Sequence, residues 1–219
     1  MATLVIEDEV RVPARVTDLR TFRRWAHSPE FPSRGRFAFL AGEVWVEMSP
    51  EELFWHNQVK GEIGRVLAGL LVTAPLGWYF HDRVLVTNTK ADLSTEPDGT
   101  FVSFDSYRQG RVRWVKGAEG YVEMEGTPDM VLEVVSPSSV RKDTVVLREL
   151  YWHAGVSEYW LVDARGGSLR FDLLQRTRTG YAPARARDGW RRSKVFSKSF
   201  QLLARKDELG FPQYLLKVR

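Results

Sequence analysis

Glu133 stands in the middle of the apolar run MVLEVVS (residues 130–136), between Leu132 and Val134. A carboxylate at the centre of an apolar strand costs several kcal/mol unless it is paired or bound to a metal. Asp129 lies four residues earlier; in a strand of period two, positions 129, 131 and 133 share one face. Asp98 follows Pro97 where a second strand, GTFVSF, begins. Two carboxylates converging on one point make a hard oxygen site suited to Mg2+ or Mn2+. Such a site activates water and neutralises a phosphodiester oxygen. A neighbouring lysine stabilises developing negative charge or orients the attacking water. The lysine at hand is Lys142, followed directly by Asp143. The alternatives are that Glu133 sits on an edge strand or pairs with a buried arginine, and that Lys142 is a solvated surface charge.

Other chemistries find little support. The four histidines, His27, His56, His81 and His153, show no HxxxH spacing. His56, near the start of a long helical stretch, is the one placed beside other candidates; helping water or phosphate and simple capping or packing both fit it. There is no GxSxG elbow, Walker loop or GxGxxG motif. The absence of cysteine excludes disulfides, thiolate zinc sites and cysteine nucleophiles.

The chain has 219 residues, 43% of them apolar and 12% aromatic, which excludes a disordered polymer and suits a single domain spanning 1–219. No run of about 18 uncharged apolar residues is present, so no membrane helix is expected. The start, MATLVIEDEV, has no basic stretch leading into an apolar one; no signal peptide is expected, and a reducing cytoplasm fits. Charge is unevenly placed. Residues 164–219 hold 14 Lys and Arg against 4 Asp and Glu, a net of +10, while the rest carries −6 within an overall +4. The acidic part suits a metal and the basic part a polyanion, although basic strands also serve plain solubility.

The elements that must position these residues are read from periodicity. Residues 1–16 read as irregular or an edge segment. Thr17 is the expected cap of a short helix carrying Leu19, Phe22 and Trp25. RFAFLAGEVWVEMS reads as a hairpin turning at Ala41-Gly42. The best helix runs from about 51 to 73, where Gly61, Gly64 and Gly69 suggest close packing, and Pro75 stops it. The stretch 105–126 is polar and glycine-rich, with a short helix near Tyr107. Asp143 to Ala154 reads as a helix and VSEYWLVD as a central strand, giving a strand–helix–strand crossover with a parallel pair. LRFDLLQ and SFQLLA read as antiparallel strands. The class expected is α/β (α+β), built around one mixed sheet.

Three segments, TEPDGTFVS, TPDMVLEVVSPSSVRKD and LYWHAGVSEYWLVD, together resemble the Uma family of the PD-(D/E)XK nuclease superfamily. FLAGEVWVEMSP followed by His56 resembles its N-terminal signature, a Gly-Glu hairpin and then a histidine at a helix start. The resemblance covers about residues 17–175, leaving a basic, β-rich extension over about 176–219. It implies a restriction-endonuclease-like core, a mixed sheet flanked by helices, with extra antiparallel C-terminal strands. It also implies Mg2+- or Mn2+-dependent hydrolysis of DNA phosphodiesters, and a homodimer that cuts both strands. Asp98 matches the PD aspartate and Glu133 the acidic residue of (D/E)XK, the pair implied to hold the metal. Glu43, matching the Gly-Glu pair, is a candidate third acid or an exposed hairpin carboxylate. Asp129, Asp143 and His56 would support. Tyr151 matches a family tyrosine and suits a core or hydrogen-bonding role. The family lysine falls at Leu147 here, so either Lys142 takes over or the site is weak or inactive. In the latter case the fold serves as a nucleic-acid-binding or protein-interaction module.

Overall fold

The computed structural model describes residues 10–219. Of the N-terminal segment expected to be irregular, residues 1–9 lie outside the described residues, and 10–16 form no strand or helix. Helix α1 (Leu19–Ala26) leads to the hairpin β1 (Arg36–Leu40) and β2 (Glu43–Glu47). A π-helical turn (Leu53–Gln58) runs directly into α2 (Val59–Thr73). Next come β3 (Gly77–His81), β4 (Leu85–Asn88), β5 (Leu93–Thr95) and β6 (Gly99–Ser103). After α3 (Phe104–Arg108), the hairpin β7 (Val112–Lys116) and β8 (Tyr121–Gly126) precedes β9 (Met130–Val134). A second π-helical turn (Lys142–Val146) opens α4 (Leu147–Ala154), which leads to β10 (Glu158–Asp163). The remainder is β11 (Arg170–Thr177), β12 (Gly180–Pro183), β13 (Ala186–Arg187), β14 (Trp190–Arg192), β15 (Ser199–Lys206) and β16 (Pro212–Val218).

The strands form three sheets where the sequence suggested one. A mixed six-stranded sheet has the order β12-β11-β10-β9-β6-β3, with β9 and β10 parallel through the α4 crossover. A second has the order β2-β1-β5-β4-β8-β7, and β13-β14-β15-β16 form an antiparallel third. The second sheet escaped the sequence reading because β7 and β8 lie in the polar, glycine-rich stretch, where no apolar alternation marks them.

Strand β9 lies between β6 and β10, so Glu133 is not on an edge. Its two faces serve two cores. Met130, Leu132 and Val134 pack with Ile63 and Leu67 of α2 and with Phe200 and Leu216 of the C-terminal sheet. Val131 and Val135 pack with Leu147, Tyr151 and Tyr159 on the α4 side. Burying such side chains stabilises by about 2 kcal/mol each. Two local details differ from the expectations. Asp18, not Thr17, caps α1: its carboxylate accepts the Thr21 N–H at 2.7 Å, and the Thr21 hydroxyl accepts the Asp18 N–H at 3.0 Å. Of the three helix glycines, Gly64 alone meets a close neighbour, the His81 ring of β3, while nothing crowds Gly61 or Gly69.

Candidate active site

Strands β6 and β9 are antiparallel with Gly99 opposite Leu132. One residue further, that register sets Asp98 opposite Glu133, a spacing of roughly 5 Å between Cβ atoms in such pairs. Asp98 is anchored to the neighbouring strand, because its Oδ2 accepts the Val134 backbone N–H at 2.7 Å. Beside it, Gly99 makes room for Tyr79 of β3: a Cβ there would lie 2.1 Å from the Tyr79 hydroxyl. Glu133, 3% exposed, accepts the Tyr151 hydroxyl at 2.6 Å from α4. Both carboxylates line one cavity of about 400 Å³, together with Lys142, Asp143, His56 and Glu47.

Lys142 and Asp143 enter from the π-helical turn that opens α4. The Lys142 ammonium lies 3.4 Å from Asp143 Oδ1 and 3.9 Å from Glu47. It is therefore a half-enclosed cavity cation and not a solvated surface charge. Burial works against its charge, but Asp143, Glu133, Glu47 and Asp98 hold the ammonium well above the usual lysine range. Ser139 Oγ donates to Asp143 Oδ2, and Asp143 Oδ1 is buried without a hydrogen-bond partner.

The electrostatics are those of crowded carboxylates. Burial, then the nearby charges of Asp143 and Asp98, push the Glu133 carboxyl well above its ordinary range against the pull of Lys142. Burial also pushes Asp143 up, to about 6, although Lys142 and Ser139 oppose it. Crowded, desolvated acids suit a divalent cation. Among the described residues, no group of three or more His, Cys, Asp or Glu is gathered as a ready-made metal cage.

Several charged residues at the site carried no signal of spacing. Arg36, at the start of β1, donates to Asp98 Oδ1 at 3.0 Å and to Asp82 at 3.2 Å. Lys60, buried on α2, lies 2.5 Å from Glu51, 2.8 Å from Asp82 and 3.7 Å from Asp98. Burial opposes the Lys60 charge, and these carboxylates hold it above the ordinary lysine range. Glu47 faces Arg36 across the hairpin and accepts the Ser138 and Ser136 hydroxyls at 2.5 and 3.1 Å. Burial would raise its carboxyl, but those hydroxyls and Lys142 hold it below the ordinary range. His56 has Nδ1 2.8 Å from Glu51 and Nε2 3.6 Å from Asp98. Its position near the helix start was the visible clue.

Two expected residues are not brought to the cavity. Glu43 is exposed at the far end of β2, next to the hairpin turn. Asp129 lies at the opposite end of β9 from the cavity and accepts from Ser103 N and Ser106 Oγ, both at 2.7 Å, fastening α3. Leu147 is fully buried in the α4 core.

The architecture that holds this cavity has a solved counterpart. A crystal structure described as "a putative nuclease belonging to DUF820 from Anabaena variabilis ATCC 29413" is similar to this chain with a TM-score of 0.58 and 16% identity, over 83% of this chain and 91% of that one. This chain therefore shares the α/β fold of that protein. More narrowly, the Uma2 family model, described as "Putative restriction endonuclease", matches residues 19–205, and the chain belongs to that family. No curated protein matches.

Proposed function

We propose that the chain is a metal-dependent endonuclease that hydrolyses DNA phosphodiester bonds. The observation that carries this reading is the pairing of Asp98 with the strand of Glu133, through the Val134 N–H, beside the Lys142 cation in one cavity. Asp98 and Glu133 are the residues to hold Mg2+ or Mn2+, with Asp143 Oδ1, paired to the Lys142 ammonium, beside them. When bound, the ion supplies Lewis-acid charge to the phosphodiester and acidifies water. The chain's own residues do the rest. Lys142 donates N–H to a phosphoryl oxygen as negative charge develops there. Arg36 and Lys60 hold Asp98 in place, and the Val134 N–H fixes which of its oxygens faces the cavity. His56, held through Nδ1 by Glu51, presents Nε2 towards Asp98. The basic strands after residue 164 contact the phosphate backbone, and a second copy completes a double-strand cut. The test is conversion of supercoiled plasmid to nicked circles in Mg2+ or Mn2+, with none in EDTA.

One observation favours a second reading. Leu147, fully buried, holds the position where the family resemblance places lysine. A chain without an effective cation would bind nucleic acid and not cut it. Salt-sensitive DNA binding with no nicking in either metal would establish that reading.

A further inference from the structure

The C-terminal sheet turns one face inward, where Phe200, Leu202, Tyr214 and Leu216 pack on the core that holds α2 and β9. By period two, its other face carries the alternate residues. Arg187 pairs with Trp190, Arg191 with Phe200 and Gln201 with Lys217, so Arg187, Trp190, Gln201 and Lys217 form one row across the four strands. The next row is Arg185, Arg192, Ser199 and Arg219. Here the Arg192 N–H donates to the Arg185 carbonyl at 3.2 Å, Arg192 pairs with Ser199, and Ser199 and Arg219 exchange backbone bonds of 2.9 and 3.0 Å. Strand spacing and residue rise give this grid an extent of roughly 14 by 7 Å. Its five cations are exposed, and no acidic side chain stands in either row. Among the described residues, their one ion pair is Arg187 with Asp188 of the adjoining turn, at 3.6 Å. The Arg219 guanidinium reaches across the small Ser199 and caps the Trp190 ring at 4.2 Å. None of these residues lines the active-site cavity.

Like charges crowded on one small face repel one another, and a polyanion laid over them turns that repulsion into attraction and releases its own counterions. Resting on the nuclease reading above for the identity of the polymer, we infer that this face is an anchoring site for the phosphate backbone of duplex DNA, separate from the cavity where the bond is cut. Four of the five cations are arginines, whose planar forks match phosphate oxygens two at a time. A membrane surface fits less well, because it takes apolar side chains into the bilayer and the one aromatic ring of the rows, Trp190, is capped by Arg219. The same cap occupies the ring on which the bases of a single strand would stack. Contacts to phosphate position the duplex and read no bases, so the anchor is indifferent to sequence.

The experiment is fluorescence anisotropy of the full-length protein with a labelled DNA duplex of arbitrary sequence, across a salt series, in EDTA so that no bond is cut. Combining Arg185→Gln, Arg192→Gln and Lys217→Gln should weaken binding at least about tenfold. The slope of log affinity against log salt should fall by about 2 to 3, since each lost phosphate contact removes about 0.9. Each single variant should lower the slope by about 0.9, which keeps the test open if the triple variant folds poorly. Removing three exposed cations elsewhere, by Arg20→Gln and Arg24→Gln on α1 and Lys90→Gln between β4 and β5, should change the slope by less than half as much. The proposal is overturned if the single and triple variants keep the wild-type slope, or if the variant on α1 and Lys90 weakens binding equally. Tighter binding to a single strand, or binding to phosphatidylserine vesicles and not to duplex, overturns it too. Plasmid nicking separates the two claims. A wild type that binds duplex through these residues yet never nicks in Mg2+ or Mn2+ removes the nuclease reading and sustains the anchor. Nicking by the wild type, with an unaltered salt slope in the variants, removes the anchor alone.

Discussion

The Tyr151 hydroxyl donates a 2.6 Å hydrogen bond to Glu133 from the helix that follows the acidic strand. One oxygen of the buried carboxylate is thereby committed to the protein, and the geometry leaves the other for the cavity. Glu133→Gln keeps the volume and an acceptor for Tyr151 but removes the charge. Nicking should be abolished, while the melting temperature of the metal-free protein stays the same or rises, because a like charge beside Asp143 and Asp98 has gone. Thermal denaturation in EDTA checks this; an unfolded variant would mean that Glu133 serves the fold.

Tyr151→Phe tests the same bond from the other side. Burial without its donor favours the protonated form of Glu133 still further. The acid limb of the pH–rate profile should move to higher pH, and stability should fall by about 1–2 kcal/mol for the lost bond. An unmoved acid limb would show that Glu133 does not titrate in the working enzyme.

Asp143 gives a stability signature. Its carboxyl, ordinarily near 3.8, is pushed up to about 6. The folded protein thus keeps a proton that the unfolded chain releases between about pH 4 and pH 6. Because the folded state binds more protons there, stability falls as pH rises through that window, by about 3 kcal/mol, and Glu133 acts in the same direction. Relative to Asp143→Asn, the metal-free wild type should lose melting temperature between pH 4 and about 7. Mn2+ should recover part of that loss.

Lys142→Ala should slow nicking at least about tenfold, out of the hundred- to thousandfold a preorganised cation typically supplies. Mn2+ affinity should not weaken, since a competing cation has left the carboxylates. Leu147 packs beside Val131 and Val135, which flank Glu133 on its face of β9. In the Lys142→Ala background, Leu147→Lys should therefore restore part of the rate, as measured on plasmid under identical metal. No rescue by a folded double variant would show that the cation must come from position 142.

The sequence readings that held and those that missed share a physical cause. An acid inside an apolar run is costly, so Glu133 announced itself, and the PD pair marked Asp98. Period two placed Asp129 with Glu133 on a common face, and the Gly-Glu match singled out Glu43. Neither could say which end of a strand meets the cavity, and four residues span roughly 13 Å. The structure takes Glu47 and Glu133 into the cavity and leaves Glu43 and Asp129 outside it. Arg36 and Lys60 were invisible because a single charge on a hairpin or helix looks solvated until tertiary contacts bury it. The parallel β9–β10 pair was legible from the crossover; the β7–β8 hairpin, with its polar stretch and a glycine turn, was not.

The most direct measurement is a plasmid nicking time course with wild type and Asp98→Asn side by side, in Mg2+, Mn2+ and EDTA. The account predicts nicking by the wild type in at least one metal, none in EDTA, and a loss of at least about a hundredfold in Asp98→Asn with its fold intact. Nicking that survives EDTA, or an Asp98→Asn protein as active as the wild type, would contradict it.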